Sequence, residues 1–466
     1  MFDGTYRSTR GGVAGLSFDD AVTAGLAPDG GLFVPEAWPQ LDRSLLCDPS
    51  ATFEETALAV ATAFAPRYDR EAMRSAVDAA YGRFSHPARV PLVQTGPADW
   101  VMELFHGPTL AFKDVAMQLL GRLFSNALER TGGRTTVVGA TSGDTGGAAI
   151  EALAGRPGVE VVMLHPEGRI SDVQRRLMTT VHAENIANVA INGSFDDCQQ
   201  IVKALFADEA FREEVSLGAV NSINWARIMA QAAYYVQAAQ RLGGSDPVHF
   251  AVPTGNFGDA FAGYVAGRLG ANVGRIIIAT NENDILDRAL RDGVYEPGSA
   301  QATISPAMDI QVASNFERML YEATGREAAS VQAAMAALKV DRRFDIPPGA
   351  LKRMRDHLVS CRVDTEETEE AMRTALAETG MLIDPHTAVG VAAARRARRE
   401  VRLDGVVVTL ATAHPAKFPD IVETATGEKP ALPERYCDLF EREERVARLP
   451  ASTGAVADFV RNRRAG

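Results

Sequence analysis

Residues 135–164, "TTVVGATSGDTGGAAIEALAGRPGVEVVML", contain a strand, a loop, a helix and a second strand in direct succession. The runs "TTVVGA" and "VEVVML" are short and rich in β-branched residues, as buried strands are. The segment between them opens with glycine and hydroxyl residues and continues as a helix former. Because two parallel strands need a crossover helix between them, this stretch predicts an α/β fold with a parallel sheet.

The same alternation continues towards the C-terminus. Four further β-branched runs, "ANVAIN", "VHFAVP", "RIIIAT" and "GVVVTL", are separated by helix-length amphipathic segments. Strands of a doubly wound sheet are covered by helices on both faces, so their nearly continuous apolar character is expected. We therefore predict doubly wound, mainly parallel sheets.

The 466 residues are too many for one small core, so we expect several regions. Residues 1–92 read as a mostly helical N-terminal region, because a turn-rich segment precedes the helical "FEETALAVATAFAP" and "REAMRSAVDAAYGRF". We assign a smaller α/β subdomain to residues 93–245 and a larger one to residues 246–466. The larger one includes a mainly helical insertion at about residues 325–380 and a C-terminal tail.

Composition narrows the class of protein. The formal net charge of −12 argues against nucleic acid or an anionic membrane as the main partner. Four widely spaced cysteines indicate neither a disulfide framework nor a zinc module. With no long apolar run, export signal or HExxH motif, we expect a cytoplasmic protein without a catalytic metal. A monomer and a homodimer are both compatible with the sequence.

Lys113 lies in "HGPTLAFKDVAMQLLG", residues 106–121, where a loop runs into the apolar face of a helix. One interpretation is a lysine at the start of a helix that extends past its apolar neighbours to water. The other is a Schiff-base lysine, whose amine needs the lowered pKa that desolvation provides. Lys113 alone does not distinguish the two.

Three loops that follow predicted strands carry the other candidate residues. In "GATSGDTGGAAIEAL", residues 139–153, backbone amides and hydroxyls converge on a helix N-terminus, which favours a carboxylate or phosphate. In "VPTGNFGDAFAGYVAG", residues 252–267, two glycines allow the backbone to wrap a phosphate, although neither a Walker A nor a GxGxxG motif is present. Thr412 ends the last predicted strand, at the sheet edge where ligands bind. For the first loop, simple helix capping is the alternative.

Other polar residues have weaker signals. The segment "NSINWARI" brings together Asn221, Ser222, Asn224 and Arg227, a set suited to a substrate phosphate. The alternative is that Asn224 caps a helix and Arg227 is exposed on its first turn. Lys417 is a second candidate for the phosphate. The loop histidines are as compatible with capping or packing as with catalysis, and they are His106, His386 and His414.

Seven stretches together resemble the threonine synthase family of bacteria and fungi: "HGPTLAFKDVAMQLLG", "GATSGDTGGAAI", "NSINWARI", "PTGNFGD", "SPAMDIQVASNFER", "DPHTAVG" and "TAHPAKF". The resemblance covers nearly the whole chain, beginning with "STRG". It implies a pyridoxal-phosphate enzyme of fold type II, similar to the tryptophan synthase β subunit. Such an enzyme is a carbon–oxygen lyase of threonine biosynthesis, which converts O-phospho-L-homoserine and water to L-threonine and phosphate by γ-elimination and β-addition.

The resemblance also implies roles for individual residues. Lys113 is the Schiff-base lysine and general base. The cofactor phosphate is held by Gly255, Asn256, Phe257 and Gly258, and Thr412 contacts the pyridine nitrogen. The substrate carboxylate is received by Thr141, Ser142, Gly143, Asp144 and Thr145, with the specific role of Asp144 left open. Two alternatives stand beside this assignment: another fold type II reaction, such as threonine dehydration or β-replacement, and a silent paralogue that binds a phosphorylated ligand or a partner protein.

Overall fold

The computed structural model describes residues 2–218 and 222–465. Its strands are β1 (Tyr6–Ser8), β2 (Phe33–Pro35), β3 (Leu92–Gln94), β4 (Asp99–Glu103), β5 (Thr135–Ala140), β6 (Val159–Pro166), β7 (Ile186–Asn192), β8 (Leu217–Gly218), β9 (Val248–Pro253), β10 (Val273–Thr280), β11 (Val294–Tyr295), β12 (Phe344–Asp345), β13 (Leu358–Arg362), β14 (Val407–Ala411) and β15 (Ala447–Pro450).

The α-helices are α1 (Phe18–Ala24), α2 (Arg43–Leu46), α3 (Phe53–Phe64), α4 (Arg70–Tyr81), α5 (Lys113–Thr131), α6 (Asp144–Leu153), α7 (Asp172–Thr179), α8 (Phe195–Ala207), α9 (Glu209–Val215), α10 (Trp225–Leu242), α11 (Gly258–Arg268), α12 (Ile285–Asp292), α13 (Phe316–Ala323), α14 (Ala328–Val340), α15 (Pro348–His357), α16 (Thr365–Thr379), α17 (Pro385–Glu400), α18 (Pro419–Thr426) and α19 (Thr453–Ala465). Short 3₁₀ helices lie at Pro306–Met308, Pro415–Lys417 and Glu434–Tyr436.

Two sheets carry the fold, and all six runs predicted as strands belong to them. The larger sheet has the order β13-β10-β9-β14-β4-β3, in which only the β3–β4 pair is antiparallel. The smaller sheet has the order β15-β7-β6-β5-β8 and is parallel throughout. The α/β class with mainly parallel sheets is confirmed.

Two features of the sheets differ from the sequence prediction. Strand β13 lies inside the insertion that we expected to be mainly helical, and it pairs with β10 at the edge of the larger sheet. Strands β3 and β4 were not predicted, although β4 pairs with β14 inside that sheet. Both β4 and β13 are only five residues long and mix polar with apolar side chains, so their sequences carry little strand signal.

Helix α10 lies at the centre of the molecule and is buried from Trp225 to Gln240. It contacts α3, α5 and α11, so it joins the N-terminal region to the helices that cover the larger sheet. The main hydrophobic core is continuous through these helices. Along the described ranges, no helix has both the length and the apolar character that crossing a bilayer requires.

Candidate active site

A cleft lies where the carboxyl ends of β9 and β14 meet the N-termini of α5, α6, α10 and α11. This is the edge at which open α/β sheets bind ligands. Polar residues from several elements line it, and they are Lys113, Asp144, Thr145, Ser222, Arg227, Gln231, Thr254, Asn256, Asp259, His386 and Thr412.

Lys113 is the first residue of α5, and the backbone before it is fixed to the end of β14. The Phe112 amide donates to the Thr412 carbonyl at 2.8 Å. Leu110 adopts a left-handed conformation with φ 59°, and Asp114 accepts hydrogen bonds from the amide and hydroxyl of Thr109. These contacts hold the loop in one conformation, so the start of α5 points Lys113 into the cleft.

The surroundings of Lys113 favour its neutral amine. Its Nζ lies 4.7 Å from the centre of the Phe112 ring and 3.4 Å from Asp144 Oδ2. Burial lowers the pKa of Lys113, and the positive charges of Lys417 and Arg227 add to that effect, whereas Asp144 opposes it. An amine with a lowered pKa is the nucleophile and base that covalent catalysis on an aldehyde needs.

The loop between β9 and α11 is shaped for an anion. Phe257 has a left-handed conformation with φ 64°, and the Asn256 carbonyl accepts the Asn315 amide at 3.0 Å. A Cβ atom on Gly255 would stand 2.8 Å from the Ala307 carbonyl oxygen, so only glycine fits there. The loop leads into the N-terminus of α11, where free amides and the helix dipole attract phosphate.

Thr412 and His386 are held by one buried carboxylate, that of Asp384. Its oxygens accept from the His386 ring at 2.7 Å and from the Thr387 hydroxyl, which in turn accepts the Thr412 amide at 3.2 Å. The Ala307 amide donates to His386 Nε2 at 3.1 Å, so the ring proton is on Nδ1. The network therefore joins the Thr412 backbone to the segment that packs on Gly255.

The loop before α6 contributes to the cleft differently from our expectation. Asp144 and Thr145 line the cleft, but the Thr141 hydroxyl accepts the amides of Gly143 and Gly146 at 2.9 Å and caps the helix. The Ser142 side chain is exposed. Gly143 has φ 130°, a conformation that L side chains rarely adopt. Thr141 is therefore a helix cap, and of the three hydroxyl residues in this loop Thr145 is the one that lines the cleft.

Asn224 and Arg227, which we had predicted together as ligands of a substrate phosphate, have different surroundings. Asn224 is fully buried, and its side chain accepts the Ala226 amide at 3.0 Å and donates to the Val22 carbonyl at 2.7 Å. It is a helix cap rather than a group facing the cleft. Arg227 is 4% exposed instead of lying on the surface. Asn221 lies outside the described residues.

Arg227 is a buried cation with unused donors. Within residues 2–218 and 222–465, its Nε and Nη1 have no hydrogen-bond partner. Burial lowers the pKa of Arg227 to about 10. An unpaired charge in the interior is costly, and a bound anion in the cleft would remove that cost.

Lys417 is not free to bind a substrate phosphate as we had expected. It is 1% exposed, and its Nζ lies 2.7 Å from Asp144 Oδ1 and donates to the Thr109 carbonyl at 2.7 Å. Among the loop histidines, only His386 faces the cleft. His106 contacts Glu103 at 2.7 Å, and His414 Nδ1 accepts the Ala416 amide, the capping role weighed for it.

Three residues near the cleft were not predicted from the sequence. Gln174 donates to Asp144 at 2.9 Å, and Asp384 organises the network described above. Asp259 accepts from the hydroxyls of Tyr234 and Tyr235, and burial raises its pKa to about 6. Only Asp384 had a local signal, since an Asp–Pro pair before an apolar run is typical of a helix N-terminus.

These residues fit pyridoxal phosphate. A buried amine, a glycine loop that a single Cβ atom would obstruct and a hydroxyl residue at the end of β14 all face one cleft. Arg227 provides further donors there for a second anion. Over the ranges that the structure describes, no three His, Cys, Asp or Glu side chains come together as a metal site requires.

Comparisons with known proteins agree over the whole chain. Three family models match: "Threonine synthase N terminus" at residues 5–81, "Pyridoxal-phosphate dependent enzyme" at residues 89–339 and "Threonine synthase, C-terminal" at residues 387–460. Threonine synthase from Pseudomonas aeruginosa is 47% identical over 459 residues, which cover 98% of this chain and 97% of that protein.

Solved structures give the same result. The PLP-bound threonine synthase from Brucella melitensis is 48% identical with a TM-score of 0.96, covering 98% of this chain and 99% of that one. The yeast threonine synthase is 39% identical with a TM-score of 0.94, covering 99% of both chains.

Proposed function

The chain belongs to the threonine synthase family and is a pyridoxal-phosphate-dependent enzyme, and from this premise we propose that it converts O-phospho-L-homoserine and water to L-threonine and phosphate. One observation supports this substrate above others: Arg227, whose Nε and Nη1 have no hydrogen-bond partner in the part of the chain that the structure describes, lines the same cleft as Lys113. A cofactor with one phosphate occupies only one anion site. A phosphorylated amino acid brings a second phosphate to the remaining donors.

We propose that the cofactor phosphate binds at Gly255, Asn256, Phe257 and Gly258, that its ring nitrogen faces Thr412, and that its aldehyde meets Lys113. Bound in this way, pyridoxal phosphate supplies a site for covalent attachment of an amine and a ring that withdraws electrons from the neighbouring carbon. The Thr412 hydroxyl is neutral, so it would not hold a proton on the ring nitrogen as a carboxylate would.

Lys113 moves the proton that starts the reaction. With substrate and cofactor bound, its free amine would lie inside the buried cleft and would take the proton from Cα of the substrate. The lowered pKa of Lys113, caused first by burial, favours the neutral amine that this step needs.

Two groups of donors orient the substrate. Arg227 pairs with the substrate phosphate and stabilises the charge that develops as the bond from Cγ to the phosphate oxygen breaks. The backbone amides at the N-terminus of α6 and the Thr145 hydroxyl receive the carboxylate. Arg227, Thr145 and Lys113 all line one cleft, so one substrate molecule can contact all three.

The enzyme is also proposed to work in the cytoplasm. All four cysteines are free, and Cys47 and Cys437 are exposed, which suits a reducing compartment.

The purified protein tests the proposal directly. It should be yellow, and borohydride should fix the cofactor on Lys113, as a peptide mass would show. Phosphate and threonine should form in equal amounts from O-phospho-L-homoserine, whereas threonine should release little ammonia. Ammonia release without phosphate release would favour a dehydratase instead, and a protein that takes up no pyridoxal phosphate would contradict the proposal.

A further inference from the structure

Asp144 contacts two lysines, and the two contacts differ. Its Oδ1 lies 2.7 Å from Lys417 Nζ and accepts Gln174 at 2.9 Å. Its Oδ2 lies 3.4 Å from Lys113 Nζ, at the outer limit of a hydrogen bond. Burial by itself would raise the pKa of Asp144, but Lys417 and then Lys113 lower it well below its ordinary range. The carboxylate is therefore charged, and its closer partner is Lys417.

The Lys417 side chain is shielded from solvent. It is 1% exposed, and besides Asp144 it donates to the Thr109 carbonyl, in the loop that leads to Lys113. The 3₁₀ helix Pro415–Lys417 that carries it follows β14 and is capped by His414. The Lys417 ammonium is thus held by Asp144 and by the Thr109 carbonyl, which belongs to the loop that positions Lys113.

The consequence concerns the proton of Lys113. If Asp144 had Lys113 as its only cation, loss of the lysine proton would leave a buried carboxylate unpaired, which costs several kcal/mol. With Lys417 present, the carboxylate keeps a counterion when Lys113 becomes neutral. We propose that Lys417 is a positioning residue whose ammonium is the permanent counterion of Asp144, so that Lys113 can act as a neutral amine.

Other charged or titratable groups also face Lys113. They come from separate elements packed around the cleft, and they are Asp144, Lys417, Arg227, Asp259 and His386. Arg227 acts on Lys113 in the same direction as Lys417, and both favour loss of its proton. Of Arg227 and Lys417, it is Lys417 that contacts Asp144 directly, so its removal changes the pairing as well as the net charge.

The inference rests on the proposed function, but it can be tested without turnover. Full-length protein that has been freed of bound cofactor with hydroxylamine and dialysis is treated with acetic anhydride over a range of pH, and acetylation of the Lys113 peptide is measured by mass spectrometry. Exposed Lys429 in the same samples is the internal reference. The variants are Lys417→Met, Lys417→Arg, Asp144→Asn and the double variant Lys417→Met/Asp144→Asn.

In Lys417→Met, Asp144 pairs with Lys113 alone, and the midpoint of Lys113 labelling should move up by about one pH unit, a roughly tenfold loss of labelling at neutral pH. Lys417→Arg keeps the charge and should leave the midpoint near that of the wild type. In the double variant the carboxylate is gone, so the midpoint should return towards lower pH. Lys429 should not change in any variant.

The inference would be overturned if Lys417→Met had the same labelling midpoint as the wild type, or if the double variant had the same midpoint as Lys417→Met. Either result would mean that Lys417 is a packing residue. If Lys417→Met does not fold, Lys417→Gln replaces it, because glutamine keeps a hydrogen-bond donor without the charge, and an unchanged midpoint in that variant would overturn the inference in the same way. Uptake of pyridoxal phosphate by the wild-type protein, followed by visible absorbance, tests the proposed function separately. Uptake on Lys113 with unchanged variant midpoints would refute only the inference about Lys417.

Discussion

Replacing Arg227 with methionine should make the protein more stable and less active. Methionine keeps much of the apolar stem but removes a buried charge with two unused donors, Nε and Nη1. In the protein without ligand, that charge is a cost; with a phosphorylated substrate bound, it becomes a strong interaction. The same substitution should therefore act in opposite directions on folding and on catalysis.

The size of the stability effect follows from the pKa of Arg227. Burial lowers it from 12.5 to about 10. At 1.36 kcal/mol for each pH unit, burial disfavours the charged form by about 3 kcal/mol. Both values lie well above neutral pH, so the side chain is charged in the folded and the unfolded chain at pH 7, and the folded protein bears the whole cost. Loss of some packing reduces the gain, and we expect about 1–3 kcal/mol.

The expected loss of kcat/KM in Arg227→Met follows from the hydrogen bonds to the substrate phosphate. A hydrogen bond to a charged group contributes roughly 1.5–3 kcal/mol, which corresponds to a loss of about 10- to 150-fold in kcat/KM for O-phospho-L-homoserine. Calorimetry measures the melting temperature, and a phosphate-release assay measures kcat/KM. Inorganic phosphate should raise the melting temperature of the wild-type protein more than that of the Arg227→Met variant.

Arg318 is the matched control. It is equally buried, and burial lowers its pKa to about 9, but it donates to the carbonyls of Phe33 and Ile223 and to Asn315. Arg318→Met removes these three hydrogen bonds and should destabilise the protein. If Arg227→Met destabilises the protein as Arg318→Met does, and kcat/KM is retained, Arg227 is a structural residue and our account of its unused donors is incorrect.

Three further results are expected. Lys113→Ala should bind pyridoxal phosphate without covalent attachment and lose turnover; borohydride treatment followed by mass spectrometry would reveal any other lysine in its role. Gly255→Ala places a Cβ atom 2.8 Å from the Ala307 carbonyl oxygen and should weaken cofactor binding at least about tenfold in an absorbance titration. Gly267→Ala is the control and should not weaken binding, because no atom would lie closer than 3.8 Å to its Cβ. Equal cofactor affinities in the two variants would show that the loop adapts. Burial lowers the pKa of His414 from 6.5 to about 4, so the unfolded chain binds a proton that the folded protein excludes, and the free energy of unfolding should fall by about 3 kcal/mol from pH 6.5 to 4. His414→Asn should remove this pH dependence in urea titrations, and an unchanged slope would assign it to another group.

The chain order of the elements could be derived from the sequence because it depends on local patterns. Strand β9 lies at the predicted residues Val248–Pro253, and α3 begins at the first residue of its predicted segment, where Thr52 and Glu55 form a capping box. The short strand β13 was missed, since pairing with β10 rather than its own residues makes it a strand.

The sequence by itself also determined which loops converge. Parallel strands end at one edge of a sheet, so Thr412 and the loop at Gly255 were expected to meet, and both line the cleft with Lys113. The roles proposed for these residues, unlike their positions, await the experiments above.

Only the tertiary structure decided which polar side chains face the cleft. Thr141 and Asn224 satisfy backbone groups at helix termini, whereas Arg227, three residues after Asn224, is buried with donors unused. The pairing of Lys417 with Asp144 joins residues far apart in the chain. A buried polar group takes whichever partner packing brings within about 3 Å, and that choice depends on the whole fold rather than on neighbouring residues.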